Sequence, residues 1–215
     1  LPFVVGGTNE NPQMELLSWN YYPMLNPTNS KLTKGLGYVG SHFANSIDTI
    51  QVNGVRKEPL LVTSPNSRII STPALISLNE NKNVPEDVNF KRNAIPVAML
   101  LEGRFTSLFK NRISRAQLDT LSLIGEAFRE TSAESKIIVA ADGDILFNDF
   151  LPGEGPNAAP VPIQMGWNKY TYREYLNQTE TGRFFRPVAN REFLLNCIEY
   201  QVSNPGISET RNKDV

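Results

Sequence analysis

The sequence predicts an α/β fold: a three-layer sandwich with a central mixed, largely parallel sheet and long loops, spanning residues 1–215 as one domain. Three observations carry this expectation. Ile95 to Leu101 (IPVAMLL) and Lys136 to Ala141 (KIIVAA) are strand-length and apolar without interruption, the pattern of strands covered on both faces. Other short segments alternate apolar and polar residues, as half-buried strands do. Two further windows carry apolar residues at helical spacing. Strands interspersed with helices build layered α/β architectures.

Taken in order, Phe3 to Val5 is a short strand ending at Gly6-Gly7, and Gln13 to Trp19 (QMELLSW) is a second. Asn26-Pro27 is turn chemistry, and Thr28 to Lys34 a polar loop. Ser46 to Val52 (SIDTIQV) alternates as a half-buried strand before an Asn53-Gly54 turn. Glu58 to Ser64 (EPLLVTS) is another strand, and Pro73 to Leu78 (PALISL) a further one. Residues 79–93 form a polar loop. Ile95 to Leu101 and Lys136 to Ala141 are then expected side by side at the centre of the sheet. Arg115 to Phe128 places Leu118, Leu121 and Ile124 roughly in phase for a helix. Leu151 to Asn168, rich in Pro and Gly, is a long loop. Asn190 N-caps a last helix with Phe193, Leu194, Cys197, Ile198 and Val202 on one stripe, stopping at Asn204-Pro205-Gly206.

Composition excludes several function classes. Of 215 residues, 21 are basic and 22 acidic, for a net charge of −1. The basic residues form no run or stripe, so no nucleic-acid or anionic-membrane surface is expected. The one cysteine, Cys197, cannot make an internal disulfide, and the one histidine, His42, rules out a His-rich metal site. The longest apolar run is far shorter than the roughly 20 residues of a spanning helix. The chain opens at LPFVVGG without methionine, and it is read as part of a longer protein.

Four motifs offer chemistry. Gly35-Leu-Gly37-Tyr-Val-Gly40 matches G-x-G-x-x-G, but a dinucleotide site needs a strand before it and a helix after it, and the flanks here are polar and extended. Ser41 and His42 are adjacent, yet neighbours on an extended chain point to opposite faces, and no G-x-S-x-G elbow occurs. Cys197 lies on an apolar stripe, where cysteine acts as a core hydrophobe. Asp142-Gly143-Asp144 ends an expected strand, where α/β folds place ligands. Asp142 and Asp144 could bind a ligand or cation, with Asp149 or Glu102 supplying further oxygens. Alternatively, Gly143 allows a tight turn and the aspartates accept backbone N–H groups around it. Trp167, Tyr170, Tyr172 and Tyr175 suggest either a carbohydrate-binding surface or loop packing. No catalytic residue, resident metal or cofactor is expected.

The segment IIVAADGDILFND resembles a block of the gliding-associated ABC transporter auxiliary proteins, the GldG family. Further blocks occur in the same order: the opening LPFVVGGTNENPQMELLSWNYYPMLNP, then NSIDTI, KEPLLVTSPNSRI, PVAMLLEGRFTSLFKNR, PIQMGWNKYT and NREFLLNCIEY, and the closing GISETRNKDV. The resemblance implies an auxiliary or substrate-binding component of an ABC transporter, partnered by a membrane permease and a cytoplasmic ATPase and tied to gliding motility. It implies a protein anchored in the inner membrane, with this chain in the second half of the region facing the periplasm, after a flavodoxin-like part. It also implies a glutamine-amidotransferase-like fold, from whose chemistry the chain departs: its only cysteine is on the late helix, not on a nucleophile elbow. The expected role is a non-catalytic auxiliary or binding domain. The alternatives are a metal-assisted hydrolase centred on Asp142 and Asp144, or a carbohydrate-binding domain. The sequence does not name a small-molecule ligand.

Overall fold

The structure is a computed structural model that describes residues 1–78, 89–155, 157–176 and 185–202. It contains strands β1 (Pro2–Gly7), β2 (Pro12–Leu16), β3 (Met24–Pro27), β4 (Val39–Gly40), β5 (Val55–Val62), β6 (Pro96–Gly103) and β7 (Ser135–Ala140), then the short β8 (Phe150–Leu151) and β9 (Val161–Pro162). The helices are α1 (Arg115–Leu123), α2 (Lys169–Leu176) and α3 (Asn190–Val202), and a 3₁₀ turn spans Gly143–Leu146.

The main sheet has five strands in the order β4-β3-β5-β6-β7, and β1-β2 and β8-β9 form separate two-stranded ribbons. Every pairing among these strands is antiparallel. This overturns the largely parallel, amidotransferase-like sandwich. The expectation rested on two strands that are apolar throughout, and such runs do not by themselves fix strand direction. β6 is buried as expected, with Val97, Ala98 and Leu100 at most 1% exposed. β7 does pair with β6, but it closes the sheet as an edge strand and is not central. Its Ile137 and Val139 are 41% and 39% exposed, so one apolar face is open.

β5 is bent by register shifts at Pro59/Leu61 and Leu61/Val62. Proline has no N–H for the ladder, and bulges are where a sheet interior tolerates it. At the far end of the β5–β6 pair, Gly103 has φ +140°, and a Cβ there would collide with the Gly54 carbonyl oxygen. Only glycine allows that approach.

The core lies between this sheet and α3. Leu25, Val39, Leu60, Leu61, Leu100 and Ile145 form one buried cluster with Phe193. The helix contributes Phe193, Asn196, Cys197 and Tyr200 to its buried face. Ile198 and Val202 were expected on that face but are 48% and 79% exposed. Burying Phe193 contributes roughly 1.5–3 kcal/mol.

Other expected elements differ. Ser46 to Val52 is not a strand. It is tied in by the Ile47 N–H to Pro96 O and by Lys57 Nζ to Ile50 O, and Ile50 stays 80% exposed. Pro73 to Leu78 forms no strand either. Alternation describes a surface that could pair, and among the described residues neither segment has a strand partner. Asn26-Pro27 is the end of β3, paired with Val62 and Leu61. α1 begins one residue after Ser114, which makes a capping box with Gln117. It buries no residue, so Leu118 and Ile124 face solvent. α2 falls where only a loop and aromatic residues were read. Its start is set by Asn168 Oδ1, which accepts from Tyr170 N at 2.9 Å and Thr171 N at 3.0 Å. Most of the polar loop after Leu78, and the stop at Asn204-Pro205-Gly206, lie outside the described residues.

Candidate functional site

The chain leaves β7 at Ala140 and turns at once into the 3₁₀ segment, and Asp142 stands at its N-terminus. Asp142 Oδ1 accepts the Asp144 N–H at 2.9 Å, and Oδ2 accepts the His42 N–H at 2.8 Å. One carboxylate therefore closes a local turn and pins a loop 100 residues away. Charged acceptors make the stronger hydrogen bonds of this kind. Nearby, the Asn45 N–H donates to Ala141 O at 3.3 Å.

The same corner gathers the only histidine. The His42 ring stacks on Tyr22 with centroids 4.0 Å apart, and its Nδ1 lies 3.5 Å from Asp144 Oδ2. With side chains 34% and 52% exposed, that pair contributes no more than about 1 kcal/mol. The Tyr22 phenol is pushed above its ordinary range, by burial first and then by Tyr170 and the carboxylates of Asp144 and Asp149. Beside Tyr22, Trp19 packs edge-on to Tyr21, Tyr22 and Phe43.

Asn190 locks the corner from below. Sequence reasoning gave it an N-cap, but it is the first helical residue of α3. Its Oδ1 accepts Gly40 N–H at 2.9 Å, and its Nδ2 donates to Gly40 O at 2.9 Å and Ile145 O at 3.0 Å. One buried amide thus joins β4, the 3₁₀ turn and the helix. Long-range partners like these leave no local spacing signal.

The remaining candidates are occupied by structure. Ser41 is 2% exposed and its Oγ donates to Pro23 O at 3.0 Å, so its proton is not directed at His42. Asp149 accepts the N–H groups of Phe150 and Lys169, both at 2.8 Å. The segment after Gly40 is not helical, so the Gly35–Gly40 stretch lacks the helix N-terminus that a pyrophosphate needs. Burial pushes the Cys197 thiol up to about 12, the opposite of an activated nucleophile. Trp167 is 8% exposed and packs against Tyr172 and Tyr175, so its ring is already covered. Among the described residues, no group of three His, Cys, Asp or Glu side chains is placed to hold a metal ion.

Glu102 is not part of this corner. It pairs with Lys136 in the β6–β7 register, whereas the corner follows Ala140, opposite Ala98. That separation is four residues, or roughly 13 Å along a strand. Glu102 belongs instead to a charged cluster at the other end of the sheet. Arg56 Nη2 donates to Glu102 Oε2 at 2.5 Å, and Tyr200 OH donates to Oε1 at 2.5 Å. Lys136 Nζ lies 4.1 Å above the Tyr200 ring. Burial raises the Glu102 carboxyl, but the bonds from Tyr200 and Arg56 and the nearby positive charges outweigh it and leave it below its ordinary range. Burial, then the bond to Glu102, pushes the Tyr200 phenol up to about 12. An open cleft of about 720 Å³ lies over Gly54, Arg56, Glu102 and Lys136. Sequence reasoning missed this cluster because Arg56, Glu102 and Lys136 meet only through strand register and Tyr200 only through the packing of α3 on the sheet.

Comparison with known families supplies the class: an auxiliary component of an ABC-type transport system. The chain belongs to the family described as an ABC-type uncharacterized transport system, whose model matches residues 1–197. No curated protein matches the chain, and no solved structure does. Its partners are other components of such a system. Among the described residues, no helix is long and apolar enough to cross a membrane.

Proposed function

We propose that the chain is a non-catalytic binding or docking domain of its transport system. It belongs to a membrane-anchored protein of the gliding-associated branch and is held on the periplasmic side of the inner membrane beside a permease and an ATPase. The observation that carries the non-catalytic reading is the use of Asp142: both its oxygens hold backbone N–H groups. Asp149 likewise accepts two backbone N–H groups, and the Ser41 hydroxyl donates to a backbone carbonyl. Each Asp142 oxygen keeps a second lone pair, but among the described residues no third His, Cys, Asp or Glu side chain is placed to complete a metal site around it. The gliding-associated assignment is supported by the blocks of sequence resemblance, and the transport-system role by the family match.

The test is affinity purification of the tagged protein from detergent-solubilised native membranes, with permease and ATPase read by mass spectrometry. Both subunits should co-purify, and they should do so equally with Asp142→Asn. Their absence would overturn the docking reading. A variant that folds and assembles but abolishes the motility or transport phenotype would overturn the non-catalytic one.

A further inference from the structure

The outer edge of β7 has no strand partner among the described residues. The Ala141 N–H donates to Val97 O at 2.9 Å, and the register from Ala98↔Ala140 to Gly103↔Ser135 is unbroken. Antiparallel alternation then turns the N–H and C=O groups of Ser135, Ile137 and Val139 toward β6. Those of Lys136, Ile138 and Ala140 point outward. Natural sheets guard such edges with proline, a bulge or a charge. β7 has neither proline nor bulge. Its one lysine lies on the helix side, with Nζ donating to Tyr200 O at 3.2 Å. On the opposite face Ile137 and Val139 are exposed.

We infer that this edge pairs with the same edge of a second copy of the chain, antiparallel, about a two-fold axis at Ile138. The strand's own sequence is self-complementary about Ile138, which favours a second copy in that register; an axis at Ile137 or Val139 would pair only two of the three outward residues. Hydrogen bonding requires outward residues opposite outward residues. Centring on Ile138 pairs Ile138 with its copy and Lys136 with Ala140 of the second copy, using all three outward residues. It also sets Ile137 against the second copy's Val139, twice, in the closer non-hydrogen-bonded positions where β-branched pairs stabilise most. Centring on Lys136 would oppose two lysines, which is unfavourable. Centring on Ala140 would run the ladder into Asp142, whose carboxylate already holds the corner. The product is one continuous sheet across two copies, doubling the five strands of one.

A single strand edge is smaller than the ~1,200 Å² of a stable interface, so the association is weak. It is measured by sedimentation equilibrium of the 215-residue chain from about 5 to 500 µM, the weak regime expected of small interfaces. A monomer–dimer equilibrium is expected. The double variant Ile137→Lys/Val139→Lys places lysines opposite one another and should weaken association at least about ten-fold. Ile137→Glu/Val139→Glu should do the same. An equimolar mixture of the two should regain association, because each lysine then faces a glutamate. Circular dichroism confirms that both variants are folded. Monomer throughout the range for the wild-type chain would overturn the inference and leave the edge to a strand from another component. Dimer retained in both variants, or no recovery in the mixture, would overturn it as well.

Discussion

Asn190→Ala removes the one amide that joins β4, the 3₁₀ turn and α3. Asn190 is 5% exposed, and its three bonds end on Gly40 N, Gly40 O and Ile145 O. Each lost hydrogen bond costs about 1 kcal/mol, and a buried group left without a partner costs about 1–3 kcal/mol. Water can reach Gly40, which is only partly buried, so the upper end does not apply to all three. Alanine returns a few tenths of a kcal/mol as the better helix former. The sum is a loss of about 3 kcal/mol. At about 2–4 °C per kcal/mol for a chain of this size, Tm should fall by roughly 6–12 °C. Urea titration and thermal melting of wild type and variant measure it. Asn190→Asp is a sharper control, because it keeps the acceptor for Gly40 N–H and loses both donations. It should be no more stable than the alanine variant. A loss below about 1 kcal/mol for Asn190→Ala would refute the reasoning that these bonds are buried and needed.

Two other outcomes follow from the same geometry. Asp142→Asn keeps one acceptor oxygen but turns an N–H donor toward a second N–H, and should cost about 1–2 kcal/mol; calcium, magnesium or manganese should leave the wild-type melting point unchanged, and a large shift with one cation, lost in the variant, would restore the metal reading. Cys197 should resist thiol reagents until the chain unfolds. Its thiol rises from 9.0 to about 12 on folding, so the folded state binds the proton more tightly. The stabilisation is therefore complete below pH 9 and is lost as pH climbs toward 12. Cys197→Ala should flatten that slope in urea melts taken across the range, and an unchanged slope would count against burial as its cause.

The local parts of the fold were legible and the long-range parts were not. β1, β2, β5, β6, α1 and α3 all fall on segments whose pattern announced them, because periodicity reports which face of an element is buried. The Ser114–Gln117 capping box and the Asn168 cap were also present in the sequence as S-x-x-Q and as Asn before a polar-aromatic helix. They are signals that could have sharpened the start of α1 and revealed α2. β4 and the β8-β9 ribbon have two residues per strand, too few for any period to show. At the candidate site, Asp142 was identified as a residue with a role. Its tie to His42 and the Asn190 lock were not, since both partners are 100 or more positions away. The Arg56, Glu102, Lys136 and Tyr200 cluster was invisible because strand register and helix packing, neither of which leaves a local spacing, bring its members together.

Of the two apolar strands behind the misreading of sheet direction, KIIVAA is the one whose placement failed. An uninterrupted apolar strand buries both faces when it sits inside a parallel sheet, and that premise placed β7 at the centre. In the structure its helix-facing residues, Ile138 and Ala140, do pack against the core, so half of the premise holds. The other half fails, because among the described residues no layer covers Ile137 and Val139, which are 41% and 39% exposed. An edge strand gains nothing in solubility from two exposed β-branched residues, and polar substitutes at those positions would guard the edge better. The apolar pattern therefore records a burial that one copy of the chain does not provide. A second copy in the register centred on Ile138 supplies part of it, giving each of these side chains a cross-strand apolar neighbour. The residues that misled the fold prediction are then the ones that define the interface, and the lysine–glutamate exchange at positions 137 and 139 tests both statements at once.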